Sequence, residues 1–328
     1  MKKTVLTMAL GLFAAGAALA QGFPGKPITI VVPFAAGGPT DTVARQLAEA
    51  MRKPLGDATI VVENAAGAGG TIAATKVARA TPDGHTLLVW HIGMASTASL
   101  YRKLQFKALD DFEYLGMIND VPMTLLGSPK LPANTYRDFE SHIRANGGKI
   151  NLAHAGLGSA SHLCGLMWQS AVKLDKSLTT IAYRGTAPAM NDLIGGTVDV
   201  MCDQTTNTTS QIEAGRVKAF AVTTAKPLSD HKLLKDYPSL QELGLKGFDL
   251  TIWHGMYAPK GTPTDVQKKL NDALQVALKD PEFIKKQDAL GAMVVTDKRA
   301  TPAGHKAFVA DQIAKLKTVI DAAGQYAD

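Results

Sequence analysis

The 328-residue sequence predicts an α/β fold in two domains, each a mostly parallel sheet with helices on both faces. Two observations carry this. Short β-branched runs such as Ile28–Val32 and Thr59–Asn64 alternate with segments of helical period such as Thr42–Met51, the pattern of βαβ units. The length, about 308 residues once a leader is removed, exceeds what one hydrophobic core usually serves. Aromatic residues make up only 6%, so the core must be mostly Val, Ile, Leu and Ala, a composition that suits helix-on-sheet packing.

The N-terminus has the layout of a signal peptide. Lys2 and Lys3 precede an apolar run from Val5 to about Leu19, which closes in Ala18-Leu19-Ala20, so residues 1–20 read as a leader and Gln21 as the mature start. The run is short for a membrane span, and no cysteine follows it to take a lipid anchor. Export to the bacterial periplasm is the expected localisation. Loss of the two lysines leaves 33 basic against 29 acidic residues, a net +4 spread without clusters, which excludes a nucleic-acid partner. Cys164 and Cys202, the only cysteines, form either one disulfide or a pair of buried thiols.

In chain order, the strand Ile28–Val32 feeds the loop Pro33–Asp41 and a helix, with Thr40 or Asp41 as a possible cap. Thr59–Asn64 feeds Ala65–Gly70 and a helix from Thr71 to Ala80, and the strand His85–Trp90 follows the turn Thr81–Gly84. Phe112–Ile118 and Met123–Gly127 read as two strands around Asn119–Pro122, where the chain should cross into the second domain. There Asn151–Ala155 leads into the loop Gly156–His162 and a helix from about Ser161 to Val172. Strands at Thr179–Tyr183, Val198–Asp203 and Ala219–Thr223 complete that domain. The chain returns near Thr224–Pro227, adds the strand Leu250–Ala258, and ends in helices at 264–279 and about 303–322. The expected domains are therefore 21–121 with 226–328, and 122–225.

Catalytic templates fit poorly. There is no H-E-x-x-H, phosphate-binding P-loop or C-x-x-C, and Gly158-Ser159-Ala160-Ser161-His162 lacks the second glycine of a nucleophile elbow. Ile72 stands where a dinucleotide loop at Gly67–Gly70 would need its third glycine, so no nicotinamide cofactor is expected. Histidines 91, 154, 162 and 254 sit at strand ends or helix starts without carboxylates at ligand spacing, and no metal is expected. What the chain does carry is hydrogen-bond donors at the carboxyl ends of parallel strands, where open α/β sheets bind ligands. Loops 33–41 and 156–162 supply backbone N–H groups and the hydroxyls of Ser159 and Ser161. Tyr183, Arg184 and Thr186 add phenol, guanidinium and hydroxyl groups, and Asp203 and His254 sit at strand ends, from which they could face the same crevice. Each has a plain structural role open to it, Ser161 as a helix cap, Arg184 as a surface cation and Asp203 as a cap for 205–210. Together they favour a cleft for a small anion over an exported hydrolase using Ser159 or Ser161 with His162 or His254.

Several motifs together resemble one family. Lys26-Pro27-Ile28 leading to Val31–Asp41, Val62-Glu63-Asn64 with Gly67–Gly70, Thr81–Leu88, Gly156–Leu163, Tyr183–Ala189, Gly195–Asp199 and Ala258–Pro263 occur in the order seen in the Bug receptors. These are the periplasmic solute-binding subunits of tripartite tricarboxylate transporters. The resemblance spans essentially the whole mature chain and implies a two-domain Venus-flytrap fold without cofactor or catalysis. It also implies a monomer that captures a small organic carboxylate and serves membrane transporter subunits, or a sensor kinase in their place. By the same resemblance, Phe34, Ala36, Gly37, Gly38, Pro39, Thr40 and Asp41 hold the carboxylate from one side. Gly156, Gly158, Ser159, Ala160, Ser161 and His162 hold it from the other. Many members carry Lys where Arg184 stands, and an arginine there could grip a second carboxylate in bidentate fashion.

Overall fold

The computed structural model describes residues 22–174, 178–324 and 326–327, so the expected leader lies outside the described residues. The fold is α/β with mostly parallel strand pairs at its two ends, joined by antiparallel strands in the middle. β1 (Ile28–Val32) is buried on both faces and lies between β2 (Ile60–Asn64) and β3 (Thr86–His91), parallel to both. Helix α1 (Pro39–Arg52) follows β1, α2 (Thr71–Ala78) follows β2, and α3 (Gly93–Leu100) follows β3. Pro39 suits the first helical turn because its fixed φ is already helical and its missing N–H would have had no partner there.

The sequence places two strands around Asn119–Pro122, whereas the structure has one. β4 runs unbroken for 16 residues, Phe112–Gly127. Residues Phe112–Pro122 pair with β9 (Thr251–Pro259), which itself pairs with β3. From Met123 onward the partners change to β7 (Val200–Gln204) on one edge and β8 (Lys218–Val222) on the other. Pro122 is the last residue paired to β9, so its missing N–H falls where the ladder changes partner. Sequence signals for a break are here signals for a handover. β4 thus belongs to two half-sheets, called below the β1 half and the β5 half.

The β5 half repeats the design of the β1 half. α4 (Tyr136–Asn146) leads to β5 (Asn151–His154), which lies parallel to β6 (Thr179–Ala182) and to β7. After β5 comes α5 (Ala160–Ala171), after β6 comes α6 (Thr186–Gly195), and after β7 comes α7 (Thr205–Glu213). The chain then returns through β9 to α8 (Thr264–Ala277), α9 (Pro281–Asp288), the short β10 (Met293–Val294) and α10 (Pro302–Ala323). One continuous apolar core includes Trp90, Leu125, Phe139, Trp168 and Tyr257, and a smaller cluster around Leu126, Met190 and Met201 lies in the β5 half.

The cysteines are bridged. Cys164 on α5 bonds Cys202 on β7, with Cα atoms 6.0 Å apart and a sequence separation of 38. The bond fixes α5 to the strand that ends beside it, within the β5 half. In the chain-entropy account, opening a loop of this length removes about 2–4 kcal/mol. Cys164→Ser with Cys202→Ser should therefore lower the urea midpoint, and dithiothreitol should do the same to the wild type while leaving the variant unchanged.

Candidate functional site

The carboxyl ends of β1, β3, β5 and β7 meet at a cavity between the halves. Phe34, Pro39, Thr40 and His91 line it from the β1 half, and Ala155, Ser159, Ala160, Ser161, Thr186 and Gln204 from the β5 half. Four helices start at this wall. Pro39 and Thr40 open α1, Ala160 and Ser161 open α5, Thr186 opens α6, and Gln204 is the residue before α7. Each helix start presents N–H groups without intrahelical partners and the equivalent of about half a positive charge. Among the described residues lining the cavity there is no Lys or Arg. An anion here is met by backbone dipoles rather than by a formal counter-charge.

Side chains hold these loops in place. The sequence offers Thr40 or Asp41 as the cap of α1, but the capping position is Gly38, whose side carries no hydrogen bond. Asp41 instead accepts from the Gly37 N–H (2.9 Å), the Arg45 Nε (2.9 Å) and the Asn64 Nδ2 (2.9 Å). Burial opposes charge on Asp41, but the bonds from Arg45, Gly37 and Asn64 outweigh it and lower its pKa. Asp41 is the brace of the loop. Ala36 and Gly37 are exposed at the rim. In the second loop Ser159, rather than Ser161, caps α5 by accepting from the His162 N–H. Ser161 Oγ accepts from the Ala155 N–H (2.9 Å), and the two hydroxyls bond each other at 3.1 Å. His162 and His154 accept from the N–H groups of Gly158 and Gly156, which orders the loop from within.

His91, singled out in the sequence only as a strand-end histidine, lines the cavity. Its Nδ1 accepts from the Gly93 N–H (2.9 Å), so the neutral ring carries its proton on Nε2. Burial pushes its pKa down to about 3, so the ring stays neutral. Phe34 packs on it with centroids 4.8 Å apart. Gln204 was also missed, because an amide one residue beyond Asp203 carries no motif. The strand–helix junction at 204/205 is the only signal that could have found it.

Other expected residues face elsewhere. The Tyr183 phenol donates to Asp192 (2.6 Å). Arg184 is exposed, and its backbone carbonyl, not its guanidinium, accepts from the Ala35 N–H across the halves (3.0 Å). Asp203 lies one layer behind the cavity, fully buried, accepting from the Gln204 N–H (2.8 Å) and Asn207 Nδ2 (2.6 Å). Burial without a cation pushes its pKa up to about 7, against the lowering effect of those bonds. The Thr186 hydroxyl lies near that carboxyl without hydrogen-bond geometry.

His254 lies behind Thr40. Its Nδ1 bonds Asn119 Oδ1 (2.9 Å) and its Nε2 bonds the Thr40 hydroxyl (3.2 Å). Asn119 Nδ2 donates to Gln287, which donates in turn to Gln46. An amide oxygen can only accept, so His254 carries its proton on Nδ1 and Thr40 donates to Nε2. This has the outline of a hydroxyl, base and orienter set. Asn119 is a neutral amide, however, and burial, with His91 nearby, holds His254 well below the ordinary histidine range. An imidazolium would find no carboxylate to stabilise it, so the arrangement positions Thr40 rather than activating it.

The halves touch through glycines. A Cβ on Gly69 would overlap the Leu157 carbonyl oxygen, and one on Gly185 would lie 2.8 Å from the Ala35 nitrogen. Both have positive φ, +62° and +151°. Ser96 Oγ donates to the Gly158 carbonyl (2.6 Å), and Tyr101 Oη reaches the Leu157 carbonyl (3.2 Å). The cavity enclosed is about 10 Å³, room for about one water, so an organic acid requires the halves to part.

Two expectations follow. Gly69→Ala should hold the halves apart while leaving secondary structure intact, giving a larger radius of gyration than wild type by small-angle scattering. Asp203 binds its proton more tightly folded than unfolded, so its contribution to stability is present in acid and is lost as pH rises from about 4 to about 7. Buried His91 and His305, both pushed down to about 3, act in the opposite sense. The comparison must therefore be between variants. The melting temperature of Asp203→Asn relative to wild type should rise by at least about 2 °C between pH 5 and pH 8.

Residues 43–325 match the tripartite tricarboxylate transporter family receptor profile, TctC. The periplasmic binding protein BugD is 49% identical, with a TM-score of 0.89 over 93% of this chain and 99% of its own. MatC of Rhodopseudomonas palustris, solved with bound malate, is 37% identical with a TM-score of 0.86 over 91% of this chain and 100% of its own. An R. palustris protein solved with adipate is 30% identical, with a TM-score of 0.85 over 92% and 98%. The chain belongs to the TctC family of periplasmic solute-binding receptors.

Proposed function

We propose that this protein is a periplasmic receptor that closes two domains, 21–121 with 226–328 and 122–225, around a small organic carboxylate. It then delivers the acid to the membrane subunits of a tripartite tricarboxylate transporter. The observation that carries this reading is the meeting of four helix starts at one cavity with no cation among its described lining residues. The carboxylate would be held by the backbone N–H groups of Gly38, Thr40, Ala160 and Ser161, with the hydroxyls of Ser159 and Ser161 and the Nε2–H of His91. Malate and adipate in two neighbours support an acid as the ligand.

The donors come from both halves, so a ligand completes its contacts only when the halves close onto it, parted from their present contact by its own thickness, and it draws the hinge equilibrium toward that closure by the difference in affinity. β4 and the return into β9 would serve as the hinge, as the segments shared between the half-sheets. Export through the 1–20 leader and a monomeric state complete the proposal.

A thermal-shift screen of the protein from Gln21 onward against mono-, di- and tricarboxylic acids tests the reading. A binder at 100 times its Kd should stabilise by about 2.7 kcal/mol. No shift with any acid would refute it.

A further inference from the structure

The cavity is not only a donor site. Thr40 commits its proton to His254 Nε2, because the amide chain through Asn119, Gln287 and Gln46 fixes His254 as a donor at Nδ1. What Thr40 offers the cavity is therefore oxygen lone pairs. Gln204 also lines the cavity, and its Oε1 is buried with no partner in the protein. Thr186 Oγ1 is likewise buried and unpartnered, at the cavity wall beside the carboxyl of Asp203. A carboxylate consumes donors and leaves the lone pairs of these oxygens unmet. A buried acceptor left unmade costs enough to shift an affinity several-fold to about a hundredfold.

We propose that the seat selects, among small carboxylates, those that also carry a hydrogen-bond donor, a hydroxyl or an ammonium group, received by Thr40, Thr186 and Gln204. This rests on the carboxylate reading above and adds the class of acid. The chemistry common to both donors is an O–H or N–H close to a carboxylate. Discrimination of this kind is larger than that obtained from fitting methylenes, because the penalty falls on the polar groups the wrong ligand leaves bare.

The test is calorimetry on matched acids that share a skeleton and differ by one group: succinate, L-malate and L-aspartate, then glutarate, L-2-hydroxyglutarate and L-glutamate. The expected result is that the hydroxy or amino member of a series binds at least tenfold more tightly than its unsubstituted parent. Gln204→Met, close in volume and lacking the acceptor, should reduce that ratio to less than threefold while the parent acid binds as it does to the wild type. The preferred arm, hydroxyl or ammonium, identifies the donor. Parent acids that bind as well as their substituted partners overturn the proposal and leave the carboxylate reading standing, and so does a variant that keeps the full ratio. If no member of either series binds and the broad acid screen is also blank, the carboxylate reading fails and takes this inference with it. If that screen yields only binders without a donor group, this inference alone is overturned.

Discussion

Everything at the cavity depends on one arrangement, a parallel strand that ends, turns and starts a helix pointing its N-terminus at the same place. β1 with α1, β5 with α5, β6 with α6 and β7 with α7 all do this. Parallel strands put their carboxyl ends on one edge of each half-sheet, and so the four helix starts converge without any side chain being recruited. Once the backbone supplies the positive end, a charged side chain at the wall becomes unnecessary. The remaining side chains are then available to orient loops, as Asp41, Ser159, Ser161 and His254 do.

The second constraint is that the two halves share strands. β4 is a single ladder that hands over from β9 to β7 and β8 at Pro122/Met123. A shared strand ties the two cavity walls to one ladder. At Gly69 and Gly185 the halves meet backbone to backbone, with no side chain to yield. The disulfide acts on a different scale, fixing α5 to β7 inside one wall.

Much of this was legible from residue order. The loops at 33–41 and 156–162 are visible because β-branched runs, glycines and helical periodicity occur in that sequence, and the structure puts Phe34, Pro39, Thr40, Ser159, Ala160 and Ser161 from them at the cavity. Direction was not legible. Tyr183 turns to Asp192, and Arg184 contributes only its carbonyl, because a side chain at the end of a strand can take either face and periodicity does not say which. His91 and Gln204 were missed as lining residues for the converse reason. They have no local motif and reach the cavity through strand register between segments distant in sequence. The unbroken β4 was hidden by Asn119, Asp120 and Pro122, which normally mark turns and here sit where pairing partners change.

An anion seat made of dipoles rather than cations also has a particular relation to its surroundings. Dipole fields fall off faster than those of charges, and a wall without formal charge does little to gather counter-ions that binding must then displace. A receptor that holds its anion in the way proposed would forgo long-range capture of its ligand and in exchange bind with nearly the same strength in dilute and in salty media. Outside the cytoplasmic membrane the ionic strength follows the environment rather than the cell, and the absence of lysine and arginine from the described cavity wall fits a receptor that works under those conditions.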